Sequence, residues 1–285
     1  MVRFPRLTQL GVAMAAAAVV LAPTAHAVTD DVEYVAMGDS AAAGPLIPDQ
    51  DPDLNCFRSE KNYPRVAAEL IGAKLTDVTC SAAKISDFST KQYGVVPPQY
   101  DALKRSTDLV TVTIGGNDVE LVQAAVSCLN LLPEPAGRSC KDRFTAGGRD
   151  ELAERIDALA PEVDGMLEQI EARAPHAEIV VVGYGTYLRP GGCYPIQPVW
   201  ARDADYIQSS VDKLSAMLHE RASAHGAEFV DLAEVSRGHD TCAAPQDKYY
   251  EGVIPTSVAA PLHPNAKGMQ AFGEAVAKGI QHADS

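Results

Sequence analysis

Two periods of apolar residues share this chain. Short runs rich in β-branched residues recur at 32–37, 75–80, 109–114, 179–182 and 228–232. Between them, at 63–71, 150–172, 204–224 and 264–282, apolar residues return at helical spacing. Leu-Val-Thr-Val-Thr-Ile at 109–114 and Ile-Val-Val-Val at 179–182 expose no clearly polar face, as expected of strands covered on both sides. Strands alternating with helices of this length predict parallel pairing and an α/β layered fold. No repeat or low-complexity linker interrupts the pattern, so a single domain over residues 28–285 is expected. Three segments, 41–58, 130–148 and 187–202, fit neither period and are rich in Pro, Gly or Cys. In an open α/β sheet the connections after strand carboxyl ends build the site. These segments are therefore candidate pocket walls, with plain surface loops as the alternative.

Residues 1–27 have a different character. Arg3 and Arg6 precede an apolar run at 10–21, and Ala25-His26-Ala27 gives the small-x-small pattern of a cleavage site. This is the layout of a secretory signal cleaved after Ala27. The apolar run is short for a transmembrane helix, and no cysteine follows it to accept a lipid. Export implies an oxidising environment, which gives the six cysteines a meaning. The nearest-neighbour set Cys56–Cys80, Cys128–Cys140 and Cys193–Cys242 would close loops between adjacent elements. A zinc site is disfavoured, because there is no Cys-x-x-Cys and no histidine at ligand spacing from a cysteine.

Composition narrows the function classes. The chain has 285 residues, 46% hydrophobic and 22% charged, which is ordinary for a globular protein and excludes extensive disorder. Lys and Arg number 24 against 38 Asp and Glu, a net charge of −14. That balance disfavours binding to nucleic-acid phosphates or to anionic membrane surfaces.

Three motifs stand at the ends of predicted elements. Ser40 ends the first strand in Gly38-Asp39-Ser40, where it could serve as a nucleophile or simply cap a helix. Gly115-Gly116-Asn117-Asp118 follows the buried third strand. It offers either an amide donor beside backbone that can be closely approached or a common turn. His263 precedes Pro264 and the last helix, and the proline constrains its backbone. The other histidines fall in the signal, in loops or near helix ends. His239, beside Asp240, is the second candidate base.

In this order, GDS, GGND and HPN resemble the SGNH/GDSL hydrolase family, over nearly the whole chain from Gly38 to Gly268. The signal and loop cysteines are similar to its secreted actinobacterial lipases, phospholipases and esterases. The resemblance implies a three-layer α/β/α sandwich around a mainly parallel sheet. It implies hydrolysis of carboxylic esters through an acyl-enzyme, with Ser40 as nucleophile and His263 as general base. The oxyanion donors would be the Ser40 N–H, the Ala82 N–H and the Asn117 side chain. No cofactor or metal is implied; the partner is a small-molecule or lipid ester, with no nucleic acid, no stable membrane insertion and a monomeric chain.

Two departures change the expectation. The second block usually offers a glycine where this chain has Ala82, so its backbone must adopt a conformation that alanine tolerates. Many members place an aspartate three residues before the histidine, where this chain has Ala260. A Ser–His dyad oriented by the Ala260 carbonyl is therefore expected, with Asp240 as an alternative acid. Two other readings remain: a non-catalytic exported protein that binds a lipid or glycan on this fold, and a sugar-ester deacetylase.

Overall fold

The computed structural model of the protein describes residues 1, 2 and 32–283. Almost all of the expected signal, and its cleavage point after Ala27, lie outside the described residues. Residues 32–283 belong to one compact unit.

Strands β1 (Glu33–Gly38), β2 (Lys74–Asp77), β3 (Leu109–Thr113), β4 (Glu178–Val182) and β5 (Glu228–Val230) form one sheet. Every pairing is parallel, in the order β2-β1-β3-β4-β5. The helices are α1 (Ser40–Ala43), α2 (Tyr63–Ile71), α3 (Leu121–Ser127), α4 (Cys140–Phe144), α5 (Glu151–Arg173), α6 (Ala201–Ala224), α7 (Leu232–Ser236) and α8 (Ala266–Ala283).

Strand alternation sorts the core into two layers. Tyr34, Ala36, Leu109, Val180 and Val182 face Ala67 of α2 and Met269, Phe272 and Val276 of α8. Val35, Met37, Val110, Val112, Ile179 and Val181 face Ile156, Val163 and Leu167 of α5 and Leu214 and Leu218 of α6. The expected three-layer α/β/α sandwich results. Thr111 and Thr113 are buried but satisfied, their hydroxyls bonded to Tyr34 (2.7 Å) and Tyr63 (2.8 Å). Among the described residues no helix is long and apolar enough to cross a membrane.

Several element ends shift from the sequence expectation, the helix expected over 204–224 beginning at Ala201 and the last helix at Ala266, and two strand ends have a clear cause. β2 stops at Asp77, whose carboxylate takes the Thr79 N–H and hydroxyl and turns the chain away from the sheet. β5 stops at Val230, because Asp231 caps α7 by accepting the Ala233 N–H. The three expected disulfides, Cys56–Cys80, Cys128–Cys140 and Cys193–Cys242, are formed.

The chain leaves β1 for β2 on one side and returns to β3 on the other. The β1/β3 boundary is thus the switch point, where open parallel sheets form a crevice at strand carboxyl ends. Gly38 lets the two strands meet there. A Cβ at this position would sit 2.4 Å from the Thr113 carbonyl oxygen, which accepts the Asp39 N–H at 2.9 Å.

Candidate active site

Ser40 is the first residue of α1, immediately beyond β1. Asp39 caps that helix, its Oδ1 accepting the Ala41 N–H at 2.8 Å. Gln99 grips the strand end, accepting the Gly38 N–H and donating to the Gly38 carbonyl. The serine hydroxyl is thereby fixed at the crevice, 2.7 Å from His263 Nε2. The two residues are 223 apart in sequence.

His263 Nδ1 lies 2.7 Å from the Pro261 carbonyl oxygen. A carbonyl only accepts, so Nδ1 carries the proton and the unprotonated Nε2 accepts the Ser40 hydroxyl proton. Desolvation of the ring holds its pKa below the ordinary 6.5, against the Pro261 hydrogen bond, which raises it. At neutral pH the imidazole is the free base.

The orienting carbonyl belongs to Pro261, not to Ala260 as expected. Leu262 adopts a left-handed conformation (φ 61°), which reverses the chain between Pro261 and His263 and turns the nearer carbonyl to the ring. Ala260 instead anchors the segment, its N–H donating to the Pro45 carbonyl. Asp240 does not complete a triad: Arg189 Nε lies 3.0 and 3.1 Å from its two oxygens, and it also accepts the Cys242 N–H. His239 bonds the Asp247 carbonyl and stacks on Tyr249, so the second candidate base is occupied elsewhere.

Asn265 of the HPN motif supports the histidine loop. Its amide donates to the Lys248 carbonyl and Glu251 Oε1, both at 2.9 Å, while its oxygen accepts the Gly268 N–H in the first turn of α8. Buried Glu251 also takes Thr256 and Ser257, and its N–H donates to the His263 carbonyl. Glu251 stands in Tyr250-Glu251-Gly252, where no sequence motif marks it for this role.

Asn117 donates one amide hydrogen to the Ala83 carbonyl at 3.0 Å, which leaves its second hydrogen for another acceptor. Asp118 accepts the Ile85 N–H at 3.0 Å, so both residues brace the segment carrying Ala82. Burial raises the Asp118 pKa. Ala82 has φ 64°, the left-handed conformation usually given to glycine.

Ser40, Asn117 and His263 line one cleft of about 850 Å³, counting the part open to solvent. Its walls are mostly apolar: Leu121, Val122, Leu188, Val199, Ile207, Val211, Val253 and Leu262. Tyr187 also lines it, as its position in the 187–202 segment suggested. Trp200 does not. Its ring is buried and its indole N–H donates to the Leu132 carbonyl, while the Tyr194 hydroxyl bonds the Leu131 carbonyl.

Asp39 and Tyr184 also border the cleft and were missed in the sequence. Asp39 is 2% exposed, and burial drives its pKa up to about 7, against hydrogen bonds from Tyr184 and Ala41 that lower it.

Residues 36–271 match the model of the GDSL-like Lipase/Acylhydrolase family. Lipase 2 of Streptomyces coelicolor (strain ATCC BAA-471 / A3(2) / M145) is 40% identical over 264 residues, covering 88% of each chain. Among solved structures, the extracellular lipase of Streptomyces rimosus (TM-score 0.73) and phospholipase A1 of Streptomyces albidoflavus NA297 (TM-score 0.72) are each 28% identical. Each similarity covers 86% of this chain and 98% of the other. With its motifs at the carboxyl ends of a parallel sheet and this match across most of its length, the chain belongs to the GDSL-like lipase/acylhydrolase family of carboxylic ester hydrolases.

Proposed function

We propose that this protein hydrolyses acyl esters of lipids through an acyl-enzyme on Ser40, with His263 as the general base. The observation that carries the reading is the 2.7 Å contact between Ser40 Oγ and the unprotonated Nε2 of His263. The serine oxygen attacks the ester carbonyl carbon as Nε2 takes its proton. The negative oxygen that develops is held by the Ser40 and Ala82 N–H groups and the free hydrogen of the Asn117 amide. The Pro261 carbonyl stabilises the imidazolium, which then protonates the departing alcohol. Water, deprotonated by the same nitrogen, attacks the acyl-serine and releases the acid.

The apolar cleft supports an acyl chain rather than a sugar as the group it holds. Exposed Ile196 and Ile254, sequence neighbours of the lining residues Gln197 and Val253, extend that apolar character outward. The related lipases and phospholipase A1 agree with this assignment. We read the protein as exported, since three disulfides fit an oxidising compartment.

A fluorophosphonate probe and a panel of esters of graded chain length test the proposal. Wild type is expected to be labelled and to prefer the longer acyl chains, with Ser40→Ala inert to both. Absence of labelling in wild type would favour a non-catalytic binding protein on the same fold.

A further inference from the structure

Two buried groups at the cleft take no part in the reaction above, the Asp39 carboxyl and the Tyr184 phenol. Tyr184 lies beyond the end of β4, 145 residues from Asp39 in sequence. Its hydroxyl donates to Asp39 Oδ2 at 2.7 Å and accepts the Gly116 N–H at 2.9 Å. Asp39 Oδ1 meanwhile accepts the Ala41 N–H. A continuous line of hydrogen bonds thus joins the turn that carries Ser40 to the turn that carries Asn117. We propose that Asp39 and Tyr184 are positioning residues, whose hydrogen-bond chain to Gly116 sets the spacing between the nucleophile and the oxyanion donor of Asn117. The inference rests on the roles given to Ser40 and Asn117 above.

The polarity of the chain matters. An ionised carboxylate only accepts, so it draws the Tyr184 proton toward Oδ2 and turns the phenol oxygen's lone pairs to Gly116. A protonated Asp39 could donate to the phenol instead, and the direction would no longer be fixed. Several groups face Asp39. Tyr184 and Tyr187 approach from beyond β4, Tyr63 from α2, Asp118 from the turn after β3, and His263 from across Ser40. Desolvation and the Asp118 charge oppose ionisation, while Tyr184 and the Ala41 N–H favour it. Ionisation near pH 7 makes the spacing sensitive to pH just above the range in which His263 becomes the free base.

Kinetics of Tyr184→Phe and Asp39→Asn on a soluble short-chain ester, with kcat and KM resolved from pH 5 to 9, test this. Tyr184→Phe keeps the ring and is expected to lower kcat on the order of tenfold while KM moves less than about twofold. Its acidic limb of kcat should shift to higher pH, because Asp39 loses the donor that favours its ionised form. Asp39→Asn should also lower kcat and leave an acidic limb governed by His263 alone, below pH 6.5. A merely structural role would reduce the folded fraction, read by near-UV circular dichroism, and leave the limb in place. Wild-type kcat in both variants, or a lowered kcat with an unmoved limb in both, overturns the proposal. An active Ser40→Ala protein would instead overturn the dyad reading, so the two failures are separable.

Discussion

The Asp39 carboxyl should make this protein less stable as pH rises, and Asp39→Asn should remove that dependence. In the folded chain the group keeps its proton up to about pH 7, against 3.8 for an unstrained aspartate. Between those values the native state binds the proton and the unfolded state does not, so stability falls with rising pH. Above pH 7 both states are ionised and the native state carries the full cost of a buried charge. The interval is about three units on the pH scale, worth about 4 kcal/mol at 1.36 kcal/mol per unit. From pH 5 to pH 8 this one group should cost about 2.5 kcal/mol. An asparagine has no charge to bury, and it caps a helix as well as aspartate, so the Ala41 contact should survive. The assay is urea denaturation of wild type and Asp39→Asn at pH 5 and pH 8. Other titrating groups contribute equally to both proteins and cancel in the difference. The variant's advantage over wild type should grow by about 2.5 kcal/mol between the two pH values, roughly 5–10 °C in Tm. A difference that stays constant with pH would refute the reasoning. Together with the lowered kcat expected of the same variant, the result would describe a position that sacrifices stability for activity.

Two further outcomes are expected. Asn117→Ala should lower kcat about 10²–10³-fold in a protein that remains folded by circular dichroism, since it removes a donor to the developing oxyanion; unchanged kcat would remove Asn117 from the site. Ala82→Gly should stabilise by about 0.5–1 kcal/mol in urea, because relief of the left-handed strain exceeds the entropy glycine adds to the unfolded chain. Its kcat should persist, as glycine keeps the N–H.

What the sequence made readable was local. The strand runs at 109–114 and 179–182 have no competing period, so their burial on both faces followed directly, and α2 spans the expected residues 63–71. GDS, GGND and HPN could be read as one site because each ends or begins an element whose carboxyl or amino end was itself legible. Contacts that depend on a single backbone angle were not. The choice between the Ala260 and Pro261 carbonyls turns on the φ of Leu262, and nothing in Pro-Leu-His announces a left-handed leucine. The Asp39–Tyr184 bond was hidden for a different reason, since it needs the order of the sheet, which sets β4 beside β3 and one strand away from β1. The available signal was an acidic residue adjoining the nucleophile, too common in turns to stand alone.

All three sulfur bridges fasten connections at the same end of the sheet, the end where the crevice opens. Cys56 and Cys80 clamp the approaches to Ser40 and Ala82, Cys128 and Cys140 tie α3 to α4, and Cys193 and Cys242 rope together the segments beyond β4 and β5. The opposite rim has no such fastening and is held by packing and non-covalent bonds, among them the Glu33 N–H to the Asp108 carboxylate and the Lys74–Glu33 ion pair. A thiol reductant should therefore unmake this protein in two stages, slackening the catalytic rim while the helix-covered sheet beneath still stands, so that turnover is lost well before secondary structure.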